Sequence, residues 1–304
     1  VGTVGADPSG TLDYRRHLVE SVEGRRLDGL HVVVDCAHGA ASGVAPEVVA
    51  ELGARVEAVA NRPDGSNIND GCGSTHPEAV ARAVVERGAD LGLAFDGDAD
   101  RLIAVDHTGA VVDGDALLAL FAVDLAARGE LTGGAVVVTV MSNLGFHHAM
   151  ARRGIAVRET PVGDRQVMEA LDAEGLALGG EQSGHIVFRH RATTGDGILT
   201  GLVLADVVVR AGRPLAELVD GLVERVPQVL HNVIVTDPTR LAAADAVWAT
   251  VAEIEAELGE GGRVLLRPSG TEPLVRVMVE APTQERADDA ARRLSHVVEA
   301  ALGG

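Results

Sequence analysis

At 304 residues the chain can hold two or three domains, each with a core of its own. Its 26 basic and 45 acidic side chains leave a formal net charge of -19, which argues against nucleic acid or an anionic membrane as a partner. Lysine is absent, so a phosphate contact must use arginine, backbone N–H groups or hydroxyls, and no run of about 18 apolar residues is present to cross a membrane.

The chain opens on Val1-Gly2-Thr3 without an initiator methionine, which fits either simple processing or a chain cut from something longer; no signal peptide is found, and a cytoplasmic location is expected. Residues 1–29 read as a helical lead-in, with Tyr14, Leu18 and Val22 at helical spacing. An apolar strand over 30–35 then runs into a Gly- and Ser-containing turn at 36–43 and a helix over 45–52, the opening of a β-α-β unit. That turn has neither Gly-x-Gly-x-x-Gly nor the Walker lysine, so a tight turn into a helix explains it better than a phosphate cradle. A strand over 56–60, a polar loop over 61–77 and a helix over 77–87 follow. Cys36 and Cys72 lack metal-ligand spacing, and two cysteines in so long a chain suit a reducing compartment without disulfides.

Next comes the densest chemistry, Asp96-Gly97-Asp98-Ala99-Asp100-Arg101, between an apolar strand over 90–95 and a second over 102–106. Three carboxylates this close repel one another unless a cation neutralises them, and an oxygen-only donor set suits Mg²⁺. A calcium loop of the EF-hand kind would need Gly at its sixth position and Glu at its twelfth, where Arg101 and His107 stand. A solvated acidic turn is the other bland reading.

From Asp113 the rhythm restarts. Helices are expected over 115–128, 146–153 and 167–174, alternating with strands over 135–141, 155–160 and 186–188. Gly163-Asp164-Arg165 sits between a strand and a helix, where it could bind an anion or simply cap the helix. Gly180-Glu181-Gln182-Ser183-Gly184-His185 offers a carboxylate and a hydroxyl two residues apart, suited to vicinal sugar hydroxyls. Glu181 stands where a nucleophile elbow would need another residue, so Ser183 is not read as an attacking serine. His185 is either a substrate contact or a hydrogen-bonded structural histidine. The last part has a β-α-β-β-α order: strands over 233–235, 263–266 and 274–279, helices over 241–258 and 284–302. Its turn Arg267-Pro268-Ser269-Gly270-Thr271-Glu272-Pro273 is either an ordinary hairpin or, with Arg276 on the next strand, an anion site built from N–H groups and arginine.

The expected architecture is therefore α/β: two consecutive α/β/α sandwich domains with mixed, mostly parallel sheets over 1–112 and 113–226, then a small α+β domain over 227–304.

Taken together and in order, these loops resemble the α-D-phosphohexomutase superfamily over nearly the whole chain. Residues 96–101 match its metal loop, 180–185 its sugar loop and 267–273 its phosphate loop. Gln182, Val140 to Gly145 and Asn69 to Thr75 look like its amino-sugar branch; the glucose and mannose phosphate branch is the alternative. The resemblance implies an intramolecular phosphotransfer between glucosamine 6-phosphate and glucosamine 1-phosphate, feeding UDP-N-acetylglucosamine and cell-wall precursors. A phosphoserine and glucosamine 1,6-bisphosphate or glucose 1,6-bisphosphate would be the intermediates. It assigns Mg²⁺ to Asp96, Asp98 and Asp100, and a catalytic charge to Arg101. It assigns the sugar to Glu181, Ser183 and His185, and the phosphate to Arg267, Ser269, Gly270, Thr271 and Arg276. Gly163, Asp164 and Arg165 would add contacts. The superfamily's first domain carries the serine in a Ser-His-Asn-Pro-type loop. No such loop occurs here, so these 304 residues alone are expected to be inactive and to need that domain as a partner. A homodimer is one assembly open to it. A non-catalytic sugar-phosphate and metal-binding fragment, and an aspartate-nucleophile phosphatase using Asp96, are the competing readings.

Overall fold

A computed structural model describes residues 9–269 and 272–303; Gly270 and Thr271, both expected to hold phosphate, lie outside the described residues. The chain divides into two compact units, 1–142 with 149–223, and 143–148 with 224–304.

The first unit begins with α1 (Ser9–Ser21), β1 (His31–Asp35), α2 (Ala45–Glu51), β2 (Arg55–Val59), α3 (Glu78–Arg87) and β3 (Leu91–Phe95). With β4 (Leu102–Asp106) and β5 (Val111–Val112) these make a five-stranded sheet in the order β2-β1-β3-β4-β5. β1 runs parallel to β2 and β3, whereas β4 turns back antiparallel on β3. The chain continues through α4 (Gly114–Ala127), β6 (Ala135–Thr139), α5 (Leu144–Arg152), β7 (Ala156–Thr160), α6 (Asp164–Glu174), β8 (Leu178–Gly180) and β9 (Ile186–Phe188). These strands form a second sheet, β7-β6-β8-β9, parallel except for β9. α7 (Gly197–Ala211) and α8 (Leu215–Val219) close the unit.

The apolar runs explain which strands are central. β1, β3 and β6 are buried at every position, as strands covered on both faces must be, whereas the edge strands β2 and β7 keep exposed residues. Glycines in the left-handed region stop α3 and α6 (Gly88, φ 61°; Gly175, φ 65°). The apolar α7 is buried from Gly197 to Val208, so it serves as an interior helix and not as a surface one.

Some boundaries differ from the sequence reading. The strand expected over 135–141 ends at Thr139, and α6 starts at Asp164, a turn earlier than expected. The helix expected from 241 starts at Asp245, because Asp237 accepts from the Thr239 backbone N–H (2.9 Å) and Pro238 begins a separate 3₁₀ turn.

In the second unit β10 (Gln228–Ile234), α9 (Asp245–Leu258), β11 (Arg263–Pro268), β12 (Leu274–Glu280) and α10 (Gln284–Leu302) form an antiparallel sheet, β10-β12-β11, with its helices. Val275, Val277 and Val279 alternate along β12 and pack into one core with Val247 and Ile254 of α9 and Leu294 and Val298 of α10. The other face of β12 carries Arg276, Met278 and Glu280. Glu280 is fully buried and ion-paired to Arg263 Nε (2.6 Å). It also accepts from Asn143 Nδ2 (2.8 Å) and from the Leu144 N–H (3.1 Å), both in the segment 143–148 that belongs to this same unit.

Candidate active site

The acidic loop sits where β3 ends and β4 begins, at the carboxyl edge of the parallel strands, the usual place for a site in such a sheet. It joins two strands, which removes the EF-hand reading. Asp96, Asp98 and Asp100 each bring a carboxylate oxygen within 4.8 Å of the others. Burial above all, with Asp100 and Asp98 nearby, pushes the Asp96 carboxyl up to about 6, against the pull of the Arg101 N–H it accepts (3.1 Å). Asp100 Oδ1 is buried without a hydrogen bond; Arg101 Nε lies 3.6 Å from it and 3.7 Å from Asp96. Converging carboxylates, one oxygen of them orphaned, fit a hard divalent cation.

The turns around this loop hold unusual backbone. Among the described residues, five of the six non-glycine positions with positive φ are Ala37, His38, Ala60, Asn69 and Ala99, with φ from 44° to 64°. Hydrogen bonds enforce them: His38 N–H to Ala60 O (2.6 Å), and Asn69 N–H to Ala37 O (2.9 Å). Asp35, buried at the end of β1, accepts from the Ala37 and Gly73 N–H groups (2.9 and 3.0 Å). Strain gathered at one edge of a sheet is the pattern of a functional site. The turn after β1 proves to be a brace for the acidic loop: Ala40 N–H donates to Gly97 O (2.8 Å), and a Cβ on Gly39 would lie 2.1 Å from that oxygen. Gly39→Ala is therefore expected to destabilise the chain by about 2 kcal/mol or more. An unchanged urea midpoint would refute that contact.

The sugar loop is tied to the acidic loop. Arg101 bridges His185, and Leu102 N–H donates to Gly184 O (3.0 Å). A cavity of about 370 Å³ lies here, lined by Arg101, Thr139, Met141, Glu181, Gln182 and Ser183. Glu181 Oε1 accepts from the Gly163 N–H (3.0 Å), so the loop 163–165 meets the sugar loop through its glycine. Gly163 is the N-cap of α6 and Asp164 its first residue. Arg165 points to solvent and pairs with Glu169 (2.8 Å). His185 differs from a sugar contact: it is 2% exposed, absent from the cavity lining, and its Nδ1 lies 3.1 Å from Asp100 Oδ2. The packing turns its ring towards the acids.

In the second unit Arg267 and Arg276 face each other across β11 and β12, so both project from the same face. Arg276 Nε is buried without a hydrogen bond, and its Nη2 lies 3.8 Å from Glu272 Oε2. Ser269 Oγ accepts from the Glu272 N–H (3.2 Å) and shapes the turn. The register puts two guanidinium groups on one face, a donor type that suits an anion.

The sequence reading gave no site role to Asp35, Tyr14 or the segment Thr193-Thr194-Gly195-Asp196-Gly197. The last had a local signal, an Asp one residue before an apolar helix. The others had none, since a buried aspartate ending a strand and a tyrosine in a helix are common.

Family models match over most of the chain: phosphoglucomutase/phosphomannomutase alpha/beta/alpha domain II over 12–109, alpha/beta/alpha domain III over 113–226, and the C-terminal domain over 230–297. The chain is 57% identical over 303 residues to the phosphoglucosamine mutase of Frankia alni and 56% identical over 303 residues to that of Streptomyces griseus. The alignments take in 99% and 100% of this chain but 66% and 67% of those relatives, so it spans about two thirds of their length. Among solved structures, the N-acetylphosphoglucosamine mutase of Aspergillus fumigatus in complex with GlcNAc-6P and magnesium aligns with a TM-score of 0.76 at 21% identity. That match covers 95% of this chain and 65% of the other and bears on the fold.

Proposed function

The chain belongs to the phosphoglucomutase/phosphomannomutase family, and from that membership we propose that it is the metal- and sugar-phosphate-handling part of a phosphoglucosamine mutase. The reaction interconverts glucosamine 6-phosphate and glucosamine 1-phosphate and supplies cell-wall precursors. The observation that supports this most is the shared cavity, where Arg101 beside the acidic loop meets Glu181 and Ser183 of the sugar loop.

In this reading Asp96, Asp98 and Asp100 would hold a Mg²⁺ ion, which would supply charge neutralisation for phosphoryl transfer. Arg101 adds a second positive charge at the cavity mouth. Glu181, its other oxygen engaged by Gly163, takes sugar hydroxyls together with Ser183. Holding Glu181 by one oxygen fixes its plane and so the orientation of the sugar. Arg267, Ser269, Gly270, Thr271 and Arg276 take the phosphate that is not being transferred. Their clamp uses N–H groups and arginine, which accept either phosphate of glucosamine 1,6-bisphosphate or glucose 1,6-bisphosphate. The phosphoserine belongs to the family's first domain, so these 304 residues bind substrate without turning it over.

The test pairs two proteins: the complete gene product, and the 304 residues alone. The complete product should carry a phosphoserine by intact mass and convert glucosamine 6-phosphate, faster than the glucose and mannose phosphates. Turnover by the 304 residues alone would refute the need for the first domain, and release of inorganic phosphate by either protein would count against the mutase reading. In the complete product Arg267→Ala is expected to raise KM at least about tenfold, the loss of one charged hydrogen-bonding partner worth about 1.5–3 kcal/mol. An unaltered KM would remove the phosphate clamp.

A further inference from the structure

The acidic loop is held from outside as well as by its own hydrogen bonds, Ala99 N–H to Asp96 O (3.1 Å) and Arg101 N–H to Asp96 Oδ1 (3.1 Å). Ala99 is in the left-handed region at φ 64°, between two of the three acids, and a contact from another segment helps to keep it there. The N-terminal end of α7 does this. Gly197 N–H donates to Ala99 O (2.8 Å), and a Cβ on Gly197 would lie 2.4 Å from Arg101 O and 2.9 Å from Ala99 O. Gly195, two residues earlier, packs so closely on His185 that its Cβ would lie 2.4 Å from the ring. That ring is the one bonded to Asp100 (3.1 Å). One short turn, 195–197, thus braces the acidic loop twice, through its backbone and through a histidine.

Asp196 stands between these two glycines and fixes the turn. Its carboxylate accepts from the Leu199 N–H (2.9 Å), capping α7, and from the Tyr14 hydroxyl at 2.9 and 3.0 Å. Tyr14 comes from α1, which the fully buried Leu18 anchors a turn later, with Val22 buried just past its end. Burial and the Asp196 carboxylate both push the phenol up, so it remains protonated and donates. Tyr14, Asp98, Asp100 and Asp196 also line one cavity of about 440 Å³, so the hydroxyl lies on the acidic loop's other flank.

We infer that Tyr14 is a positioning residue for the divalent-cation site, acting through Asp196 and the 195–197 turn on the geometry of Asp96, Asp98 and Asp100. Outer partners of this kind orient first-sphere ligands, and their loss typically weakens metal affinity about 10- to 100-fold. The inference rests on the cation reading of the acidic loop.

The experiment titrates Mn²⁺, followed by electron paramagnetic resonance, into the 304-residue chain and three variants, with a melting curve for each. Wild type should bind at one site. Tyr14→Phe should weaken binding about tenfold while moving the melting temperature little, since the ring and its packing remain. Gly197→Ala, which pushes directly on the loop backbone, should weaken it further. Arg25→Ala breaks the Arg25–Asp206 pair (2.6 Å), which ties the stretch after α1 to a distant part of α7. It should lower the melting temperature and leave affinity unchanged. If Tyr14→Phe binds Mn²⁺ as wild type does, or Arg25→Ala weakens binding as much, Tyr14 only supports the fold and the inference is overturned. If wild type binds no Mn²⁺, the cation reading falls and this inference with it.

Discussion

Asp98→Ala in the complete gene product is expected to lower mutase turnover by about 10³-fold or more. Removing a charge-neutralising cation from phosphoryl transfer forfeits several kcal/mol, and each ~1.4 kcal/mol is a factor of about ten. Asp98 is the informative acid because it is the exposed one of the three. Asp96 also receives the Arg101 N–H and Asp100 also meets His185, so their removal would disturb the loop as well as the ion. The same substitution should leave metal-free stability unchanged or slightly raised, because Asp98 repels the half-buried Asp96 and helps push its carboxyl up. Initial rates with glucosamine 6-phosphate, together with melting curves in a chelator, check both parts. Near-normal turnover would sink the metal assignment, and a large drop in chelator stability would make Asp98 a structural residue.

Glu280→Ala should cost the second unit about 3–5 kcal/mol, the range for breaking a buried ion pair from one side. The side chain has no exposure, and its loss would take an acceptor from Arg263 Nε, Asn143 Nδ2, Gln228 Nε2 and the Leu144 N–H. Glu280→Gln keeps the shape and one acceptor oxygen and should cost less. The pH dependence separates the two effects. Burial outweighs Arg263 and holds the Glu280 carboxyl above its ordinary 4.5. The folded state therefore binds a proton that the unfolded state has already released. This contribution is fully present below pH 4.5 and declines as pH rises through the higher folded value. Glu280→Gln should flatten that part of the stability curve. Urea midpoints across pH for the wild type and both variants measure this; a Glu280→Ala loss below about 1 kcal/mol would mean the pair contributes little.

Much of the architecture was legible because its signals are local. The buried strands β1, β3 and β6 announce themselves as unbroken apolar runs, and α10 occupies the span that its periodicity predicts. Where turns compete with helices, as at Asp237-Pro238, periodicity overran the true start of α9. The three candidate loops, 96–101, 180–185 and 267–273, stood out in the sequence for a similar reason. Each concentrates its donors within six or seven residues, and spacing that short largely fixes what chemistry is on offer.

What spacing could not supply was direction. His185 lies in the sugar loop by sequence, yet packing buries it and aims it at Asp100, 85 positions away. Gly163, Asp164 and Arg165 read as one turn that could bind an anion or cap a helix, but the N-terminal end of α6 leaves Gly163 facing Glu181 and sends Arg165 to solvent. The Gly39 turn read as a plain connection until Gly97 was found against it. Tyr14 had no reason to be singled out, because its partner Asp196 is 182 residues off in the chain.

The sequence by itself determined the donor types, their order and the strand-and-helix rhythm that presents them, because these follow from side-chain chemistry and from periods of two and 3.6 residues. Only the tertiary structure decided which carboxylates converge, which histidine is turned inward and which hydroxyl holds a remote turn in place. Those outcomes depend on close packing between segments far apart in the chain, where a difference of one ångström separates a hydrogen bond from no contact.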